Sequence, residues 1–246
     1  MTVELIDITE NPMKKLANIA AVCYKTQPSK KVVKKIIKLG HLSVLEHCYA
    51  TLRVQMSVAC LLQITRHRHF SFTVQSSRHT ELKDAHYTGD AVVDKAIAKQ
   101  MEIYQEVLKK CGPEKALYCL PKAAVYDVYI TGNFRTWLEY FPKRLCLRAM
   151  DEHRWLAQEM LRVLKEACPE IFETVRPMCK TCKETNCAVI QRRMEREDRE
   201  LLDEGCPDNC LFREDRVSGA SPCATLLKNP PPLGVGSVNV PCQTER

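Results

Sequence analysis

The sequence lacks any hydrophobic run long enough to cross a bilayer. Its longest apolar segment, near residues 54–64, is interrupted by Gln55, Ser57 and Gln63, whereas a spanning helix needs about 20 largely apolar residues. The opening residues, MTVELIDITE, also lack the basic segment followed by an apolar stretch of a secretory leader. A cytoplasmic protein with no membrane partner is therefore expected. No long Lys/Arg block interleaved with aromatics occurs, so the formal charge of +7 suits phosphate-bearing small molecules at least as well as a polymer. A nucleic-acid partner is not expected. The regular alternation of strand and helix that marks a parallel sheet is missing too, which leaves the α+β class.

With 45% hydrophobic and 27% charged residues, the 246-residue chain has the balance of a globular protein. That length allows one large domain, or one domain with an appendage, rather than two equal halves. Fourteen cysteines in a chain read as intracellular point to reduced thiols, metal ligands or redox chemistry more than to a disulfide framework.

Residues Val3 to Ile8 alternate as a short strand, and the stretch to Tyr24 has helical apolar spacing with Pro12 near its start. Ser29 is placed to cap a helix whose apolar face is Val32, Val33, Ile36, Ile37 and Leu39, with Gly40 to end it. From His47 to Ser57 the alternation is nearly strict. Cys48, Ala50, Leu52, Val54 and Met56 share one side, and Cys48 and Cys60 are expected in the core. Val58 to Thr65 reads as a short helix delivering RHRHFSFTVQSSRH, a segment without periodicity that is expected to be a loop rich in hydrogen-bonding groups. Helices are expected over residues 92–111 and 147–168, and a strand over 125–130 before Thr131-Gly132-Asn133.

Seven of the fourteen cysteines lie from Cys179 onward, around a charged helix candidate at residues 188–202, and the end from about Ser218 has the composition of a disordered tail. Cys179, Cys182, Cys187, Cys206 and Cys210 are of a type that holds zinc, but their spacing is not that of a familiar zinc module. Reduced thiols explain them as well, and no metal ligand is assigned. The expected organisation is a domain over 1–178 and a Cys-rich charged extension over 179–246.

The chemistry concentrates in Arg66-His67-Arg68, followed after seven residues by Ser76 and then Arg78. Guanidinium forks match phosphate oxygens bidentately, although cations at a helix end can also be solvated partners of the helix dipole. Gly40 to His47 reads GHLSVLEH, Gln63 precedes Arg66 by three, and a further block holds Leu120-Pro121, Asn133, Arg135, Arg144 and Arg148-Ala149. In this order the three blocks resemble the flavin-dependent thymidylate synthases over about residues 1–178. The resemblance implies an antiparallel sheet flanked by helices, a homotetramer with shared active sites, and FAD as cofactor. The reaction implied is methylation of dUMP to dTMP, with methylenetetrahydrofolate and NADPH as co-substrates.

By the same resemblance, Arg144 and Ser76 are the catalytic positions. Arg144 would stabilise negative charge on the pyrimidine ring, and Ser76 would bond the nucleotide. Gln63, Arg66, Ser76, Ser77, Arg78 and Arg144 would bind substrate. His41, Ser43, Glu46, Arg66, His67, Arg68, Asn133 and Arg135 would bind the flavin. No cysteine nucleophile is needed on this route.

The chain departs from the family pattern mainly on the substrate side. Thr73-Val74 replaces Asn-Glu, His79 a tyrosine, Leu117 an arginine for the substrate phosphate, and Glu139 an asparagine. Where the family reads A-Q-W-E-I-R, this chain reads Ala149-Met150-Asp151-Glu152-His153-Arg154. Loss of a phosphate partner costs about 2 to 3 kcal/mol unless replaced, and Lys115 and Lys122 are candidates to replace it. These changes leave open another pyrimidine nucleotide as substrate, by dCMP methylation or hydroxymethylation, or a non-catalytic flavin or nucleotide binder.

Overall fold

The computed structural model describes residues 1–180 together with Cys182 and Cys187. They divide into two compact units. The first comprises Met1–Ser76 and Tyr126–Pro177, and the second Ser77–Val125 with the described residues from Met178 on. The charged helix candidate, Cys206, Cys210 and the tail beyond Ser218 lie outside the described residues.

The four strands are β1 (Val3–Ile8), β2 (Tyr49–Ser57), β3 (Ser71–Val74) and β4 (Val125–Asn133), ordered β1-β2-β4-β3. β1 runs antiparallel to β2, with Val3 opposite Val54 and Ile8 opposite Ala50. β3 runs antiparallel to β4, with Ser71 opposite Thr131 and Val74 opposite Val128. Between β2 and β4 the cross-strand partners are Cys48 with Phe134, Thr51 with Thr131 and Arg53 with Asp127. As one number rises the other falls, so these central strands are antiparallel as well, and the α+β expectation holds.

Period-two patterning decides the faces. Cys48 and the β2 residues Ala50, Leu52, Val54 and Met56 are fully buried, as are Val128 and Ile130 on β4. The opposite face carries Thr51, Arg53, Asp127 and the exposed Tyr49 and Tyr129. Three helices of the first unit follow the expected starts: α1 (Pro12–Tyr24), α2 (Lys30–Lys38) and α3 (Val58–Ile64). Ser29 occupies the N-cap position of α2, but its side chain makes no capping bond.

In the second unit, α4 (Ala91–Cys111) begins at Asp90, whose carboxylate accepts from the backbone N–H of Val92 and Val93. The short α5 (Pro113–Ala116) follows. The first unit resumes with α6 (Phe134–Arg144), α7 (Asp151–Ala167) and the short α8 (Pro169–Phe172). α7 packs against β1, α3, α6 and α8 through an apolar stripe that includes Leu156, Met160 and Leu164.

Two expectations are corrected. The segment after Arg66 is not wholly a loop: Ser71–Val74 forms edge strand β3, paired along one side only. The helix expected from residue 147 begins at Asp151, because the chain turns through residues 145–150 before its apolar stripe starts. Arg144 ends α6. No helix among the described residues is long and apolar enough to cross a membrane.

Candidate functional site

Gly40 fixes the approach to the site. It takes φ +77°, and the N–H groups of Gly40 and His41 donate to the carbonyls of Ile37 and Ile36 at 3.0 and 2.9 Å. This closes α2 with a Schellman motif, which a residue bearing Cβ adopts poorly. The chain then enters a 3₁₀ helix, Leu42–His47, whose buried Leu45 anchors it while His41, Ser43 and Glu46 stay exposed. Glu46 accepts from Arg135 Nη1 at 2.6 Å, and Arg135 Nε donates to Glu139 at 2.8 Å. Two of the residues expected near the flavin, Glu46 and Arg135, thus meet Glu139 on the surface where α6 packs against this 3₁₀ helix. Asn133 has a structural duty of its own. Its Oδ1 caps α6, accepting from the Thr136 N–H and hydroxyl at 2.8 and 2.9 Å.

The basic segment is aimed by the β2–α3 corner. Ser57 caps α3 by accepting from the Cys60 N–H, and its own N–H and hydroxyl donate to the carboxylate of buried Glu152. A buried carboxylate held by two donors locks the corner. One helix later, the N–H groups of Arg66 and His67 donate to the carbonyls of Gln63 and Ile64, and Phe70 N–H donates to His67 O. Those turns leave Arg66 and Arg68 exposed on either side of half-buried His67. Among the described residues, neither arginine meets a carboxylate. Two unneutralised guanidinium groups flanking a donor-bearing turn form a set suited to a diphosphate.

His67 points the other way, into the protein. Its Nε2 accepts from Arg144 Nε at 2.9 Å, so the imidazole proton resides on Nδ1. Burial, with Arg144 and Lys143 beside it, lowers its pKa to about 4, so the ring stays neutral at physiological pH. The Arg144 guanidinium is thereby held through Nε, while its two Nη groups have no partner among the described residues. A neutral acceptor orients the cation without cancelling its charge. Gln63 reaches Met150 Sδ, a weak acceptor, at 3.3 Å.

The remaining predicted residues are distributed less tightly. Ser76 is exposed at the end of the first unit, and Gln75 extends the β3–β4 ladder by exchanging hydrogen bonds with the Asp127 backbone. Ser77 and Arg78 belong to the second unit, where Arg78 pairs with Glu114. Lys115 and Lys122 are exposed in that unit. Two residues escape sequence reasoning. Tyr140 Oη lies 2.9 Å from His153 Nε2, both buried, and the Tyr140 ring stands edge-on to His67 with centroids 4.9 Å apart. Nothing local announces a pair thirteen positions apart on different helices, and each reads as an ordinary core residue.

A family model described as thymidylate synthase complementing protein matches residues 4–170. A flavin-dependent thymidylate synthase of Geobacter sulfurreducens is 30% identical over 212 residues, covering 74% of this chain and 89% of the relative. The corresponding protein of Sulfolobus acidocaldarius is 31% identical over 196 residues, covering 75% and 71%. In fold, the chain is similar to the flavin dependent thymidylate synthase ThyX from Helicobacter pylori complexed with FAD and dUMP. The TM-score is 0.65 at 19% identity, over 71% of this chain and 99% of that one. With the family model covering most of the described residues, the chain belongs to the flavin-dependent thymidylate synthase family.

Proposed function

We propose that this protein is an FAD-dependent enzyme that methylates dUMP to dTMP, with methylenetetrahydrofolate as one-carbon donor and NADPH as reductant. We further propose that it works as a homotetramer in the cytoplasm, with residues 1–178 as its catalytic part. The observation that carries the reading is the Arg144 guanidinium held at 2.9 Å by a neutral imidazole. A cation fixed in advance at the place where charge develops stabilises a transition state without reorganising.

The donor set fits a flavin dinucleotide, because Arg66 and Arg68 are exposed and not neutralised by a carboxylate among the described residues. His67 lies between them in the basic triplet, and His41, Ser43, Glu46, Asn133 and Arg135 would surround the remaining part. When bound, the flavin supplies the hydride chemistry that no side chain here can perform. The protein's own part is to bind and orient. Arg144 would meet the negative charge that develops on the pyrimidine as its C6 accepts hydride, and Ser76 with Gln63 would bond the nucleotide. Arg66, Ser77 and Arg78 would serve its phosphate, with Arg78 leaving its exposed and weak pairing with Glu114.

A second reading, modification of another pyrimidine such as dCMP, is favoured by one observation: the Gln63 amide spends a hydrogen bond on the Met150 sulfur. One test separates the readings. The purified chain is given NADPH anaerobically with methylenetetrahydrofolate and either dUMP or dCMP, while flavin absorbance and product mass are followed. dTMP from dUMP is the expected result. A modified dCMP would select the second reading, and bound flavin without nucleotide product would overturn both.

A further inference from the structure

Arg144 sits on the weakest turn of its helix. Pro142, two residues earlier, has no N–H to give to the Leu138 carbonyl, so the last turn of α6 lacks one of its backbone hydrogen bonds. Yet this turn has to hold the guanidinium in place. Tyr140 and Arg144 are four apart on α6 and therefore share a face, and His67 lies across both, edge-on to Tyr140 and bonded to Arg144. On its far end Tyr140 Oη meets His153 Nε2 at 2.9 Å. His153 is in the first turn of α7 and is fully buried.

The presence of His153 is itself costly. Its Nδ1 is buried with no hydrogen-bonding partner among the described residues. Tyr140 and a neutral His153 carry two exchangeable protons between them and share one hydrogen bond. Unless His153 Nε2–H donates to the phenol and leaves Nδ1 as a bare lone pair, a buried N–H goes unused. Either arrangement is worse for stability than an aliphatic side chain, which is what the family's A-Q-W-E-I-R pattern places there. An apolar core would not retain an imidazole at this point without a use for it.

We propose that Tyr140 and His153 are positioning residues: their hydrogen bond ties the proline-weakened last turn of α6 to the start of α7, and so holds His67 and Arg144 in their working geometry. Phe70, Trp137 and Phe141 surround the Tyr140 ring, with centroids 5.4, 6.0 and 5.3 Å away. They confine the ring sideways but do not fix it along its own long axis. The hydroxyl bond supplies that missing constraint. Neither residue touches substrate on this account, and the catalytic part of the inference rests on the thymidylate synthase reading given above.

The experiment uses the full chain and four forms of it: wild type, Tyr140→Phe, His153→Ile and His153→Gln. Proton exchange at Arg144 Nε–H, followed by NMR without any ligand, reads the His67–Arg144 bond directly. It is expected to accelerate by about three- to tenfold in Y140F and H153I and to return toward wild type in H153Q, which keeps a polar atom near the Nε2 position. In turnover, kcat is expected to fall by a similar factor while KM for dUMP stays within about twofold. Folded Y140F and H153I proteins with unchanged Arg144 Nε–H exchange would overturn the proposal, even if they melt at lower temperature. Should wild type form no dTMP, the functional reading fails alone, because the exchange measurement still decides whether the tie exists.

Discussion

His67 has one proton to place, and its position determines what Arg144 can do. With the proton on Nδ1, Nε2 accepts from Arg144 Nε and the cation keeps its full charge. Arg144→Lys should therefore lower kcat by about 10²- to 10³-fold, as loss of one preorganised charge-stabilising donor does, while bound flavin absorbance is retained in the same sample. The two buried imidazoles also predict a pH dependence of stability. An unfolded histidine protonates near 6.5, but burial first, and Arg144 second, lower His67 to about 4 and His153 to about 3. Between those values the unfolded chain binds more protons, so stability is greatest above the unfolded pKa and falls as the pH drops. Urea midpoints should decline from pH 7 to pH 5, with fully buried His153 contributing a slope of up to about 1.4 kcal/mol per pH unit. In His153→Ile the decline should be shallower. Arg66, His67, Arg68 and Arg144 were legible because a phosphate-binding cluster and a family signature are local patterns. Tyr140 and His153 were not, because their meaning arises only where two helices cross.

At the level of elements, strict alternation announced β2, and proline and glycine punctuation announced α1 and the end of α2. β3 stayed hidden because a four-residue edge strand with little burial leaves no periodic trace. The α6 sequence, FRTWLEYFPKR, carries aromatics and an internal proline that argue against a helix when read alone. Buried Phe134, Trp137, Tyr140 and Phe141 override that propensity by packing. Two substitutions test how much this helix depends on its start. Asn133→Ala removes the cap and should cost about 1 kcal/mol in denaturant unfolding, with Asn133→Ser recovering most of it. Gly132→Ala would set a Cβ 2.4 Å from Phe70 Cδ1 and Cε1, displacing a ring that packs on Trp137 and Tyr140. A loss of about 1 to 3 kcal/mol is expected, together with a lowered kcat if Phe70 steadies the ring behind Arg144.

For the whole molecule, the +7 formal charge acts at a distance on anionic substrates. Raising salt from about 0.05 to 0.5 M should increase KM for the nucleotide with little change in kcat, since screening weakens encounter and phosphate binding before it reaches the half-buried Arg144 guanidinium. The same scale gives the cysteines a use that has nothing to do with catalysis. Cys48, Cys60 and Cys168 are buried within the first unit, and desolvation raises all three thiols, Cys168 to about 11 and Cys60 further still. Cys23 and Cys111 lie exposed. Among these five described thiols an alkylating reagent therefore meets two populations: those modified at once, and those modified only when the unit around them opens. Mass-resolved labelling of the slow set would act as a clock, counting the openings of the first unit under native conditions and at each site separately.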